Sequence, residues 1–366
     1  MIVNRYLQRN IYMGTLLALL VLISLNLFFL LVRELEDIGQ GNYGFAEAMQ
    51  YIALSIPARV VEFLPLAVLL GCILSLGALA SNSEIIAMQA SGVSLSRLLV
   101  SVLQAALVMA VISFLLSEWI VPDSSTQARV VKNAAQDENA PLRSREGVWI
   151  KDGNRVIHIN QLLPNGFALR VQVYRLDTSG RLVSTLYAER AEPIEGGWEL
   201  HGVEITHVDP VKTRYESFDR LRYQGEVSHN LLQVLMIKPS RMSRRDLHAY
   251  LNFLDDNRLD AKSERLIYWQ KLFSPLTIVV MCLLAIPFIL GAQRQSSTGF
   301  RLMMGILLGL SFAVIERLLT QLGNQFEFNA ILIALSPNLL FLGIGAYLLR
   351  NKLSHVRRPG LGVGVG

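Results

Sequence analysis

The chain has 366 residues, of which 52% are hydrophobic and only 17% charged, with a formal net charge of +5. Soluble domains carry about 25% charged residues, so this balance excludes a wholly soluble globular protein and predicts a membrane protein. The two cysteines, Cys72 and Cys282, both fall in apolar runs; this excludes a disulfide framework outside the membrane and any CxxC or Cys/His metal cluster.

In chain order, stretches free of Asp, Glu, Lys and Arg cover 10–32, 63–83 and 98–117, then 272–293 and 328–349. Each approaches the ~20 residues that cross a bilayer as a helix. A sixth run starts at Leu302 and is interrupted by Glu316 and Arg317. The first run is too long for a typical signal-peptide core and has no A-x-A cleavage pattern, so it is expected to remain as a helix. Arg5, Arg9, Arg97, Arg294, Arg301, Arg350, Lys352, Arg357 and Arg358 all fall on one side of the predicted spans. That side is cytoplasmic by the positive-inside rule. The stretch 33–62 reads as an external loop, and both termini are expected inside. The net positive charge is then a topological signal, not a nucleic-acid footprint.

Between the third and fourth runs lies a polar block long enough for a domain with its own core. From Gly147 to about Ile237 it alternates apolar and polar residues: "GVWI", "RVIHI", "LRVQVYRL", "RLVSTLYAERA" and "WELHGVEIT", separated by "KDGN", "PNG", "DTSG" and "EGG". Period-two alternation between such turns predicts an antiparallel sheet folded as a sandwich or roll. Residues 122–138 lack the alternation and read as an outward extension of the third helix. "SRRDLHAYLNFLDDN" restores helical periodicity. The expected division is 1–120 with three spans, 121–268 as the external β domain with flanking helices, 269–350 with three more spans, and 351–366 as a tail. The tail's "GLGVGVG" is expected to lack order.

No G-x-x-x-x-G-K-[ST], G-x-S-x-G or H-E-x-x-H pattern occurs, so a P-loop, a hydrolase elbow and a zincin helix are not available. Of the six histidines, His158 and His201 lie in strand-like runs and read as strand-lining. No catalytic residue, metal or cofactor is expected. Gly305-x-x-x-Gly309 permits close helix approach, either within the chain or to another. Pro65, Pro287 and Pro337 mark either kinks or passively tolerated prolines.

Charges near the membrane carry the candidate sites. Arg33 stands at the outer end of the first helix, where a long side chain can snorkel to the headgroups. Arg129 and Lys132 share one helix face. Glu316 and Arg317 lie about 15 residues past Arg301, hence roughly 22 Å along the helix at outer-leaflet depth, where ionisable groups face a protein interior or a wet cavity. Together Arg33, Arg129, Lys132 and Arg317 suit a ligand with an anionic head and acyl tails. Between the second and third runs, "SNSEIIAMQASGVSLSRLL" predicts a short helix. Ser81-x-x-Glu84 fits a capping box, Ile85 and Met88 form an apolar face, and Gly92 is placed for a C-cap. The segment either transmits force into the membrane or lies passively at its surface.

"SEIIAMQASG", with "NRYLQRNIY", "GQGNY", "EWIVP" and "GVWIKDGN" in that order, resembles the LptF/LptG family of lipopolysaccharide export permeases along the whole chain. "MQASG" and "W-x-KDGN" resemble the G-type branch. The resemblance implies a six-span membrane fold with an external β-jellyroll. It implies an F-type permease partner, a cytoplasmic ATPase homodimer, a bitopic periplasmic jellyroll partner and location in a bacterial inner membrane. The permease pair would take lipopolysaccharide from the outer leaflet, the ATP being hydrolysed by the separate subunit. Arg33, Arg129 and Lys132 then match basic positions near the lipid phosphates; Glu84, in the helix 82–92 with Ile85, Met88 and Gly92, matches the site that couples to the ATPase. Glu34, Glu36 and Asp37 follow Arg33 where some relatives are more basic, which implies fewer phosphate contacts. Two other functions are open on the residues alone: a secondary transporter using Glu316 as proton site, and a non-transporting anchor whose external domain binds partners.

Overall fold

The computed structural model describes residues 2–136, 148–152, 154–162, 167–177, 180–194, 197–208, 213–223, 239–256, 260–290, 298–326 and 328–356. Helices α1 (Ile2–Asp37), α2 (Phe45–Ser81), α3 (Glu84–Ala90) and α4 (Leu95–Leu115) lead through a π-turn at Leu116–Ile120 into α5 (Val121–Gln136). Six strands follow: β1 (Val148–Asp152), β2 (Arg155–Leu162), β3 (Ala168–Leu176), β4 (Leu182–Ile194), β5 (Gly197–Val208) and β6 (Thr213–Tyr223). Then come α6 (Arg244–Asp256), α7 (Lys262–Leu290), α8 (Thr298–Gln325) and α9 (Ala330–Val356). Among the described residues six helices are long and apolar enough to cross a membrane: α1, α2, α4 with α5, α7, α8 and α9.

The helices outrun the apolar runs that predicted them. The expected loop at 33–62 is helical except for the turn 38–44, and α9 continues to Val356, inside the expected tail. An apolar run reports bilayer thickness, whereas a helix continues until its backbone is capped. At the start of α2, the Gly44 N–H donates to the Glu47 carboxylate at 2.9 Å, which satisfies an orphan amide of the first turn. Pro57 and Pro65 in α2, Pro275 and Pro287 in α7, and Pro337 in α9 all sit inside continuous helices. The "GLGVGVG" tail lies outside the described residues.

The chain divides into two compact units, one of 1–29, 56–121 and 265–366, the other of 30–55 and 122–264. In the first unit α2 buries Val68, Leu69, Cys72, Ile73 and Leu76 at helical spacing. The Cys72 and Cys282 sulfurs stand 3.2 Å apart where α2 meets α7. Small residues set the seams. A side chain at Gly14 would come within 2.6 Å of the Gly71 carbonyl, and one at Gly305 within 2.7 Å of Ile73. Gly305-x-x-x-Gly309 therefore packs α8 on α2 within the chain.

In the second unit the six strands form one antiparallel sheet in sequence order. Five strands coincide with the predicted runs; β6, "TRYESFDRLRY", lies outside them because eight of its eleven residues are exposed, so burial imposes no alternation on it. Alternation also breaks inside the sheet. Val171, Ala188 and Val203 are buried as a row, and so are Ala168, Ala191 and Leu200, three positions away on each strand. Between the rows Arg170 has φ 52° and Gly202 φ 61°, left-handed conformations that shift which parity faces inward. The buried face gathers Ile157, Ile159, Val173, Trp198 and Leu200 around an apolar hollow. Helix α6 buries Leu247, Tyr250, Leu251 and Leu254 along one stripe.

Candidate functional site

The segment between α2 and α4 belongs to the first unit. Helix α3 ends in a Schellman motif: Val93 N–H donates to Met88 C=O and Gly92 N–H to Gln89 C=O, each at 3.0 Å, with Gly92 at φ 89°. The expected C-cap is thus formed. The expected capping box is not. Ser81 is the last residue of α2, and its hydroxyl donates back to Ala78 C=O at 2.9 Å. Ser83 takes the N-cap place at φ 60° and makes no side-chain cap; a capping hydroxyl needs the extended conformation, which the left-handed Ser83 lacks.

Glu84 is instead held from another helix, its carboxylate accepting the Tyr6 hydroxyl at 2.9 Å. That hydrogen bond ties the start of α1 to the start of α3. Ile85 is buried and Met88 half-buried, both packed into the unit's own core. The outward apolar group is Ile86, 48% exposed, beside exposed Ala87, Gln89 and Ala90. Tyr6 and Ile86 escaped the sequence analysis: one lies 78 positions away, and the other is a single isoleucine in an "EII" pair with no indication of which faces out.

The second candidate lies where α1 and α5 run side by side in the other unit. Lys132 Nζ donates to Glu34 Oε2 and Asp37 Oδ2, each at 2.7 Å. The Tyr43 hydroxyl donates to the same Glu34 oxygen at 2.8 Å. The "GQGNY" turn carries Tyr43 there: Gly39 and Gly41 adopt φ 95° and 60°, and Asn42 N–H donates to Ala135 C=O at the end of α5. Burial first, and then the bond to Glu34, raise the Tyr43 pKa.

Arg33 is exposed and Arg129 half-buried. Lys132 meets Glu34 and Asp37, and Gln136 meets Gln40; the same offset sets Arg129 level with Arg33, since partners on parallel helices keep a constant difference in number. Arg33 and Arg129 thus stand at one level of the α1–α5 pair, while Lys132 is held by two carboxylates of the chain itself. Arg317 is exposed on α8, in the first unit, next to half-buried Glu316. On the sheet, Glu192, Glu199 and His201 bring one ligand atom each within 4.8 Å of one another. Arg190 already bonds Glu192 at 3.0 Å, so a cation there would compete with a guanidinium.

A family model, "Lipopolysaccharide export system permease LptF/LptG", matches residues 5–351. The chain is 30% identical over 354 residues to the lipopolysaccharide export system permease protein LptG of Escherichia coli K12, covering 96% of this chain and 98% of that one. It is 29% identical to LptG of Haemophilus influenzae, covering 95% and 98%. To the permease protein LptF of Escherichia coli K12 it is 24% identical, covering 95% and 94%.

Proposed function

Because this chain belongs to the LptF/LptG family of lipopolysaccharide export permeases, we propose that it is the G-type membrane subunit of an ATP-driven exporter. It moves lipopolysaccharide from the outer leaflet of the inner membrane into a periplasmic bridge. The greater identity to G-type than to F-type relatives supports the assignment within the family. An F-type permease completes the membrane portion, a cytoplasmic ATPase homodimer supplies energy, and a bitopic partner with its own β domain continues the path.

The observation that carries this function is a helical segment clamped between two membrane-capable helices, in a chain without a nucleotide-binding loop. The Tyr6–Glu84 bond and the Schellman turn fix α3 at both ends, so a force applied to it passes into α1, α2 and α4 and is not absorbed by a loop. Ile86 with Ala87 and Ala90 is the face offered to the ATPase. Ile85 and Met88 support that face from inside. Arg33 and Arg129 are the basic groups assigned to the lipid phosphates. Family membership favours neither the proton-coupled transporter nor the passive anchor.

The test is purification from native membranes in mild detergent. An F-type permease and an ATPase are expected to co-purify, and lipopolysaccharide is expected to change the ATPase rate. Recovery of this chain alone, or an ATPase indifferent to lipopolysaccharide, overturns the proposal.

A further inference from the structure

Lys132 lies within a closed cluster. Its ammonium bonds Glu34 and Asp37 at 2.7 Å each and stands 5.6 Å from the Tyr43 ring centroid and 5.0 Å from that of Tyr51. The Glu34 side chain is only 3% exposed and that of Lys132 only 20%. Tyr43 is fully buried and donates to the same Glu34 oxygen. Glu34 and Asp37 take two of the ammonium's three N–H donors, so a phosphate at the third would meet two carboxylates for one ammonium, and displacing them would leave Glu34 buried without its counter-charge. Stranding a buried charge in that way is strongly unfavourable, and the aromatic faces add attraction that favours the cation staying in place.

We infer that Lys132 is a positioning residue and not a phosphate ligand. It clamps the outer turn of α1, the 39–44 turn and the first turns of α2 onto α5. The clamp sets the level and spacing of Arg33 and Arg129, which carry the phosphate contact. That last step rests on the proposed lipopolysaccharide function; the clamp itself does not. The local structure explains the parts. Glu34 and Asp37 lie three apart and share one face of α1, so one ammonium bridges both. Gly41 lets the turn close, since a side chain there would collide with the Gln136 carbonyl. Gln136 reaches Gln40 at 3.4 Å and closes the cluster on its far side.

The test compares Lys132→Met, the pair Glu34→Gln with Asp37→Asn, and the triple variant, in the full chain with its co-purified partners in nanodiscs. Two readouts are taken. Spin labels at exposed positions 35 and 130 report the α1–α5 distance, and phosphorylated and dephosphorylated lipid A report phosphate-dependent binding. Lys132→Met is expected to broaden the distance distribution and weaken binding of phosphorylated lipid A by about tenfold, about 1.4 kcal/mol. The triple variant, with no buried charge left unpaired, is expected to restore the distance and bring binding back to within about twofold. A triple variant with a restored distance but binding still about tenfold weak makes Lys132 a ligand and overturns the inference. A distance that stays broad in the triple variant overturns it too. If wild-type protein binds no lipid A, the permease function fails, while the distance readout still decides the clamp.

Discussion

Glu84 and Tyr6 illustrate how far a residue's role can depend on a partner distant in sequence. Glu84 accepts the Tyr6 hydroxyl and takes no part in a helix cap, so replacing it removes a tie between helices without uncapping α3. Glu84→Ala is expected to leave the protein inserted at normal abundance and to abolish lipopolysaccharide-dependent stimulation of the ATPase; loss of abundance in membrane fractions would assign it a folding role instead. Gly92→Ala forces an L-residue into the left-handed C′ position, at a cost of about 1–2 kcal/mol. A thermal unfolding scan should show that loss, with none for Ala87→Ser on the exposed face. At the α1 turn, Glu34→Ala leaves Lys132 with Asp37 alone and the buried Tyr43 hydroxyl without its acceptor, and is expected to cost roughly 1–3 kcal/mol, seen as a lowered unfolding temperature. Because the Tyr43 pKa is raised, its contribution is complete below the ordinary tyrosine range and is lost as pH climbs above it. Tyr43→Phe should remove that alkaline loss of stability.

Among the elements, glycines decide which helices touch. The α1–α2 crossing brings Gly14 and Thr15 onto Gly71, backbone against backbone, and α8 crosses α2 at Gly305 and Gly309. Gly71→Leu and Gly309→Leu overpack these seams, each costing about 1–3 kcal/mol, readable as detergent-solubilised aggregation at lower temperature. The β domain offers a pair of opposite sign. Arg170→Gly relieves a left-handed residue and should stabilise β3 by about 1 kcal/mol, whereas Gly202→Val should destabilise β5 by a similar amount. Hydrogen exchange of amides 186–206 in the full-length protein distinguishes the two. A serine N-cap does form in this chain, at Ser243, whose Oγ accepts the Asp246 amide at 3.0 Å and donates to the Asp246 carboxylate at 2.7 Å. Ser243 precedes a helix that starts afresh after a short 3₁₀ turn, while Ser81 is still inside one. The same S-x-x-[DE] pattern thus reports a helix start only where the preceding chain is free to be extended.

For the whole molecule the proposed topology is open to direct measurement. Cysteines placed near Arg5 and Lys352 should react with an impermeant maleimide only after the inner membrane is broken. Cysteines on β6 should react once the outer membrane alone is permeabilised. The reverse pattern would invert the orientation taken from the distribution of arginine and lysine.

By itself the sequence determined the number of spans, the β character of the inserted block and the family. Each depends on a pattern that many residues repeat: bilayer thickness demands some twenty apolar residues in a row, a half-buried strand demands alternation, and ordered short motifs accumulate specificity. Tertiary structure alone decided what individual charges do. The resemblance grouped Lys132 with Arg33 and Arg129, and Glu34 and Asp37 were visible as acids after Arg33, yet only the packing of α1 against α5 shows that they hold Lys132. Likewise only the fold joins Tyr6 to Glu84 and turns Ile86 outward while Ile85 goes in. A pattern along the chain reports the solvent around an element; the fate of a single charge depends on one partner, brought close by folding from anywhere in the chain.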